Sequence, residues 1–210
     1  TGSPAFAGLY RSSDGASRKL HVETFGGGTW VSHLSLLTGL SSADFGARSP
    51  FLTVLLEGKV GGSVPEILAR CGYRTVAILP MDNSFVNEGP FLTSIGFEEV
   101  LDRNDIGATQ YRHRDSFYYA AAERLIEEHR RTDKRPLFLA MQTMFPHSPY
   151  GEALTVDMEP RGLVLAGEPE VNEYLRRLLI SPSPFSARPY PRPTMGRPRS
   201  GFFPPMRIPA

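Results

Sequence analysis

The order of helical and strand-like patterns between residues 63 and 142 constrains the fold of this chain most. Ser63-Val64-Pro65-Glu66 begins a helix with a capping residue, a proline in the first turn and an acid near the N-terminus. Gly72 is placed to end that helix, and residues 74–79, of which the last four are apolar, then predict a buried strand. This is one helix–strand unit.

Two further units repeat the same order. Residues 85–95 predict a weaker helix that is followed by the strand-like residues 97–101. A long amphipathic helix from Asp115 to about residue 131 precedes residues 136–142, the most convincing strand of the chain. Alternation of this kind predicts an α/β fold with a mainly parallel sheet flanked by helices, which places ligands outside the carboxyl ends of the strands.

The two ends of the chain differ in composition from this central part. Residues 1–16 are rich in Gly, Ser and Ala and show no periodicity, so we interpret them as a loop. Residues 181–210 contain nine prolines, five arginines and no acid, which predicts a disordered or frame-shifted tail, or a basic proline-rich segment for an SH3-like partner or an acidic surface. Residues 17–180 would form the folded domain.

Composition excludes several classes of function. The formal net charge is +1 and the charges are mixed along most of the chain, so no nucleic-acid partner is expected. The single cysteine, Cys71, excludes a disulfide within the chain, and we expect it on the apolar face of its helix. No apolar stretch approaches the roughly 18 to 20 residues that a transmembrane helix needs, so none is predicted.

The triple glycine Gly26-Gly27-Gly28 leads directly into Thr29 and a predicted helix over residues 30–40, which would end near Gly39. Glycine lets a substrate approach the backbone closely, and the N–H groups at a helix start favour an anion such as a phosphate or sulfate ester. Thr29 is therefore a candidate nucleophile. The alternative is that Thr29 only caps the helix.

The segment Gly26-Gly27-Gly28-Thr29-Trp30, with Leu-Leu-Thr-Gly-Leu at 36–40, resembles the nucleophile segment of the sulfatase-like phosphotransferases of the alkaline phosphatase superfamily. Lipoteichoic acid synthases, phosphoglycerol transferases and phosphoethanolamine transferases belong to this group. Three later motifs resemble the family in the same order: residues 68–76, residues 96–100 and Pro146-His147-Ser148-Pro149-Tyr150. The resemblance covers roughly residues 20 to 150.

The resemblance implies a fold, a mechanism and site residues. The fold would be an incomplete alkaline-phosphatase-like core. Thr29 would ligate a divalent cation (Mn, Mg or Zn), attack the phosphorus or sulfur of an ester and be transiently modified. His147 would contact the substrate, and Arg112 or His113 would touch a phosphate headgroup, while Asp115 is expected to cap the following helix. His33, one turn after Thr29, faces either the site or solvent.

The sequence departs from the family at the metal ligands. The family supplies an acidic ligand before the nucleophile segment and an Asp-His pair near the end of the domain, and neither motif occurs here. Asp157 and Glu159 do not match these motifs. The cation site is thus expected only if other sequence completes it. The alternative is a catalytically inactive, truncated or frame-shifted relic of such an enzyme.

Substrates and location also follow only from the resemblance. It implies a phospholipid headgroup donor, an acceptor that is a glycan or lipid of the cell envelope, and either transfer or hydrolysis of the ester. Relatives of this kind are membrane-anchored enzymes, so the resemblance implies the periplasmic or extracellular face of the bacterial cytoplasmic membrane.

Overall fold

The computed structural model describes residues 28–152, 154 and 167–181. The loop predicted for residues 1–16 and almost all of the tail predicted for residues 181–210 lie outside the described residues. The helices are α1 (Thr29–Thr38), α2 (Leu52–Leu55), α3 (Val64–Arg70), α4 (Glu88–Ser94), α5 (Asp115–Thr132) and α6 (Pro169–Ile180), with 3₁₀ segments over Ser42–Phe51 and Phe85–Asn87, and the strands are β1 (Arg74–Ile78), β2 (Glu99–Leu101) and β3 (Leu137–Met141).

The three described strands form a parallel sheet in the order β2-β1-β3. Ala77 of the central strand lies between Val100 of β2 and Ala140 of β3, which fixes the register on both sides. The helices between the strands make the crossover connections that parallel pairing requires. The prediction of an α/β fold with a parallel sheet is confirmed.

Side chains that alternate along β1 divide the core into two layers. Ala77 packs with α1 and α4, whose buried residues include Leu34 and Phe91. Ile78 points to the opposite face and packs with α5, where Tyr118 is fully buried. Both faces of the central strand are therefore covered, because successive side chains of a strand point to opposite faces.

The predicted start of α3 is confirmed in detail. Ser63 is the N-cap, and its hydroxyl accepts a hydrogen bond from the N–H of Glu66 at 3.2 Å. The same hydroxyl donates to the carbonyl of Ile95, which ties α3 to the end of α4. Gly96 has a φ of +105°, and a Cβ there would lie 2.6 Å from Cα of Glu66, so only glycine allows this close approach.

Two expectations about this region need correction or extension. Cys71 was expected on the apolar face of α3, but it is the C-cap residue and is exposed. The helix ends at Arg70, so its apolar face does not extend to Cys71. Ser42–Phe51 and α2, for which the periodicity gave no prediction, connect α1 to α3. None of the helices in the described ranges combines the length and apolar content needed to cross a bilayer.

Candidate active site

Thr29 is the first residue of α1 and is exposed. The N-cap is Gly28, whose φ of 70° and ψ of 37° lie in the left-handed region that glycine adopts without strain. No side chain caps this helix, so the alternative that the Thr29 hydroxyl serves only as the N-cap is wrong. The N–H of Val31 donates to the carbonyl of Gly28 at 2.9 Å, whereas the N–H groups of Thr29 and Trp30 precede any intrahelical acceptor, which favours an anion beside Thr29.

Thr29 and His147 line one cavity of about 270 Å³. The cavity lies where β1 and β3 end, since Pro80 follows the first of these strands and Gln142 follows the second. This is the edge at which parallel α/β sheets bind ligands. The other described lining residues are Gly28, Trp30, Met81, Phe85, Glu88, Tyr111, Thr143 and Met144.

The imidazole of His147 is exposed, and its Nδ1 lies 2.5 Å from the carbonyl oxygen of Ser148. A carbonyl oxygen can only accept a hydrogen bond, so Nδ1 carries the proton and is the donor. This contact leaves Nε2 as the ring nitrogen that can bind a ligand. Nε2 would accept a hydrogen bond in the neutral ring and donate one in the imidazolium form.

Arg177 of α6 holds the loop that carries His147. Its guanidinium is fully buried and donates to the carbonyls of His147 (2.9 Å), Pro149 (3.2 Å) and Glu152 (2.8 Å). Nε of Arg177 donates to Glu173 at 2.8 Å, one turn earlier on the same helix. The contacts of Arg177 with this loop were not predicted, because the i,i+4 spacing of Glu173 and Arg177 is typical of an ordinary surface ion pair.

Arg112 holds the same loop from the other side. Its guanidinium donates to the carbonyl of Ser148 at 2.7 Å and lies 3.6 Å from the carboxylate of Glu152. Arg112 is not among the described residues that line the cavity. The structure thus gives Arg112 contacts with the loop of His147, and its proposed contact with a phosphate stays a prediction.

His113 has contacts within its own turn. Its Nε2 lies 3.1 Å from both the N–H of Thr109 and the N–H of Gln110, and its ring stacks on Phe117 with centroids 4.0 Å apart. Burial, and to a lesser extent the charge of Arg103, lowers the pKa of His113, which suits a neutral ring that accepts at Nε2. His113 is also absent from the described lining, so its contact with substrate stays a prediction.

Asp115 connects α5 to the start of the His147 loop. The N-cap of α5 is Arg114, and Asp115 is the first helical residue, so the prediction that Asp115 caps the helix is wrong. Its buried carboxylate accepts from the N–H of Phe145 at 3.4 Å and is hydrogen-bonded to the side chains of Thr143 and Ser181. Burial raises the pKa of Asp115 in spite of these hydrogen bonds.

A cluster of Glu88, His33 and Gln142 joins α1, α4 and the end of β3. The amide of Gln142 donates to Oε1 of Glu88 at 2.5 Å and also contacts Nδ1 of His33, which is 3.3 Å from the same carboxylate oxygen. Glu88 is only 7% exposed. Neither Glu88 nor Gln142 was predicted as a site residue. Gln142 had one signal in the sequence, namely that it is a polar residue at the carboxyl end of a buried strand.

The donor set that a divalent cation needs is not present among the described residues. No group of three or more His, Cys, Asp or Glu side chains in residues 28–152, 154 and 167–181 could hold a metal ion. Thr29 alone offers one hydroxyl, which is not a site. Asp157 and Glu159 lie outside the described residues. The described part of the chain therefore does not fit the implied cation.

Comparison with curated proteins gives no significant match. The similar solved structures include two at 18% sequence identity: the lipoteichoic acid synthase LtaP from Listeria monocytogenes, with a TM-score of 0.58, and a protein of the alkaline phosphatase superfamily from Vibrio parahaemolyticus, with a TM-score of 0.48. The first match covers 76% of this chain and 38% of the LtaP chain, and the second covers 72% and 36%. The chain thus spans less than half the length of either protein.

The similarity to LtaP shows a shared fold, which agrees with the parallel sheet and flanking helices described above. The sulfatase family model matches residues 17–178, more than half of the sequence. This match includes all the described residues that line the cavity. The chain belongs to the sulfatase family.

Proposed function

We propose that this chain carries the nucleophile half of a site that transfers or hydrolyses a phosphate or sulfate ester, with Thr29 as the nucleophile. The observation that carries the proposal is that Thr29 and His147, far apart in sequence, line one cavity at the carboxyl edge of the sheet. Membership of the sulfatase family supports ester transfer or hydrolysis as the class of reaction.

The proposed roles follow from the positions of the two side chains. The Thr29 hydroxyl would attack the phosphorus or sulfur, form a bond to it and release its proton to water, while the bond to the ester oxygen breaks and the alcohol leaves. An acceptor alcohol or water would then displace the group from Thr29. The N–H groups at the start of α1 would stabilise negative charge on the non-bridging oxygens. Nε2 of His147, as an imidazolium, would donate a hydrogen bond to such an oxygen or a proton to the leaving oxygen.

The finer proposal concerns the substrate and its location. The neighbour LtaP is named a lipoteichoic acid synthase. On this basis we propose a phosphoglycerol- or phosphoethanolamine-type donor, an acceptor in a cell-envelope glycan or lipid, and action on the outer side of the bacterial cytoplasmic membrane. Arg112 and His113 belong to this proposal as substrate contacts only if they exchange their present partners for a headgroup.

Dependence on a divalent cation (Mn, Mg or Zn) is part of the same proposal. Because the described residues do not supply its donor set, no role in the reaction is assigned to it.

The test is turnover of bis-p-nitrophenyl phosphate by the purified chain, with and without added Mn²⁺. We expect Mn²⁺-dependent release of p-nitrophenol that falls to background in Thr29→Ala. The matched control is Thr132→Ala, which removes the hydroxyl of an exposed threonine at the end of α5. The proposal fails if Thr29→Ala and Thr132→Ala both keep the activity of the original chain.

His147→Gln tests the second role. Loss of a general acid typically costs about 10²- to 10⁴-fold in rate, and the loss should be smallest for a substrate whose leaving group needs no proton. We therefore expect the p-nitrophenyl ester to be less sensitive to His147→Gln than an alkyl ester. Equal sensitivity of the two esters would contradict proton donation to the leaving oxygen.

The alternative function is that the chain folds but catalyses nothing. The absence of a metal donor set among residues 28–152, 154 and 167–181 favours this alternative. It predicts that p-nitrophenol release is the same with Mn²⁺, without Mn²⁺ and in Thr29→Ala. The same assay therefore decides between the two functions.

A further inference from the structure

Three aromatic side chains line the cavity beside Thr29. Trp30 and Phe85 meet edge to face, with ring centroids 6.0 Å apart and planes at 89°. Tyr111 forms another part of the wall. Phe85 is 42% exposed and Tyr111 is 52% exposed, so both rings keep surface that a ligand can cover. Perpendicular aromatic walls of this kind are typical of sites that bind ammonium groups.

A strained turn brings Phe85 and Glu88 to this cavity. The two residues between them, Val86 and Asn87, have φ values of 48° and 58°. Such values are uncommon outside glycine, and for the β-branched Val86 they are a clear outlier. Thr53 stabilises the turn, because its hydroxyl donates to the carbonyl of Val86 and its own carbonyl accepts from the amide of Asn87 at 3.3 Å. The fold thus keeps a costly backbone conformation where an aromatic ring and a carboxylate enter the cavity.

The ionisable side chains of the described wall are those of Glu88, Tyr111 and His147. Glu88 is the only acidic side chain among the described lining residues, and no lysine or arginine is found among them. Arg112, which lies outside the wall, has its guanidinium carbon 5.5 Å from the centroid of the Tyr111 ring, so one cation already interacts with this aromatic group. A second cation, entering from the cavity, would meet three ring surfaces and lie near the largely buried carboxylate of Glu88.

We infer that this cavity recognises a positively charged ammonium group on the ester, and so selects aminoalcohol phosphates over esters of neutral alcohols. The inference rests on the proposed function in one respect, since it places the phosphate of the same ester beside Thr29. The ammonium group would lie against Trp30, Phe85 and Tyr111, near the carboxylate of Glu88. A neutral alcohol of the same shape would fill the space but gain neither the cation–π attraction nor the attraction to Glu88.

Trp30 makes the inference directly measurable. It is the only tryptophan of the chain and lies in the cavity wall, so its fluorescence reports occupancy of the cavity without any turnover. The probes are phosphocholine and 3,3-dimethylbutyl phosphate, in which a carbon atom replaces the charged nitrogen. We expect phosphocholine to bind about five- to tenfold more tightly.

Two variants test which residues cause the preference. Glu88→Gln removes the carboxylate charge and Phe85→Leu removes a ring but keeps apolar bulk, and each should bring the ratio of the two dissociation constants closer to one. Glu127→Gln is the matched control, because it removes the same charge from an exposed position on α5. Circular dichroism identifies a variant that does not fold. If one variant does not fold, the ratio of the two dissociation constants in the other variant tests the inference.

The inference is overturned if the two probes bind equally, if neither changes Trp30 fluorescence at millimolar concentration, or if the preference survives in every folded variant. Dihexanoyl phosphatidylcholine below its micellar concentration identifies the source of the group: tighter binding than phosphocholine indicates a lipid headgroup, and weaker binding indicates a free ester. Failure of the proposed function is distinguishable, since p-nitrophenol release would then be unaffected by Mn²⁺ and by Thr29→Ala while the binding preference remains.

Discussion

Two segments bring side chains to the cavity, and they are held in opposite ways. The loop of residues 145–152, which carries His147, is fixed from outside by Arg177 and Arg112, whose guanidinium groups donate to its carbonyls. The turn of residues 85–88 carries Phe85 and Glu88 and has a strained backbone of its own. The conformation of the loop is therefore stabilised by hydrogen bonds from charged arginines. The conformation of the turn persists only because surrounding contacts outweigh its unfavourable backbone geometry.

This difference separates two kinds of function within one site. Substitutions that disturb the arginines should act on the position of His147, and hence on rate. Substitutions in the turn should act on which ligand is preferred. The following predictions test how each of these regions is stabilised.

Arg177→Leu should have the largest effect. It leaves the carboxylate of Glu173 buried without its charged partner and removes the donor from three loop carbonyls. Loss of one member of a buried pair costs about 3–5 kcal/mol in the free energy of unfolding. Urea unfolding followed by circular dichroism measures this change.

The control for Arg177→Leu is Arg124→Leu, at an exposed position of α5, which should change the unfolding free energy by less than about 0.5 kcal/mol. Arg177→Lys should lie between the two, because lysine keeps the charge but cannot donate along all four directions. Equal stability of the two leucine variants would contradict the account of the loop.

Asp115→Asn should change the pH dependence of stability. Burial raises the pKa of Asp115 in the folded chain, so the unfolded chain loses its proton first as pH rises through the usual range of an aspartate. Stability then falls with rising pH until the folded carboxyl also ionises. The difference in unfolding free energy between the variant and the original chain should grow in favour of asparagine across this range, then stay constant.

The measurement is urea unfolding of both chains at several pH values from acidic to neutral. A difference that does not vary with pH would mean that the carboxyl of Asp115 ionises alike in the two states. Asp102 gives a contrast, because hydrogen bonds from the N–H groups of Asn104, Asn83 and Asp105 lower its pKa although burial opposes them. Asp102→Asn should therefore lower stability at neutral pH, and the loss should disappear as pH falls.

Val86→Gly should have the smallest effect on the unfolding free energy, and it should stabilise the chain where Arg177→Leu destabilises it. Glycine adopts a φ of 48° without the steric cost that valine bears, so we expect the unfolding free energy to rise by about 1 kcal/mol. Val54→Gly is the control, because Val54 is an exposed residue of α2 where glycine should cost about 0.5 kcal/mol relative to valine. If Val86→Gly also destabilises the chain, the turn is not strained in the way described.

The fold was predictable where local signals agreed with one another. The ends of α3 were predicted from the capping residue Ser63, the proline at 65 and the glycine at 72. The apolar runs predicted β1 and β3 to within one residue at each end. Residues 42–55 gave no such signal, since their 3₁₀ geometry does not follow the helical period. Cys71 was expected on the apolar face of α3 because the helical period was continued past Arg70, where the helix ends.

The site was predictable only in its exposed members. Thr29 and His147 were predicted because unusual neighbours mark them, a glycine triplet and a pair of prolines, and both line the cavity, while their roles stay predictions. Arg177 and Glu88 were missed, because their roles come from tertiary contacts that no local pattern encodes. His113 carries a chemically suggestive side chain, yet its ring nitrogen is occupied by the N–H groups of its own turn.

The register of β3 sets how freely this sequence can change in length. Five residues of β3 pair with β1, and Gln142 and the His147 loop follow immediately at its end. An insertion or deletion of one residue inside β3 would turn every later side chain of the strand to the opposite face and move Gln142 away from Glu88. Length variation among natural homologues should therefore avoid residues 137–147 and collect in the connection over residues 42–62.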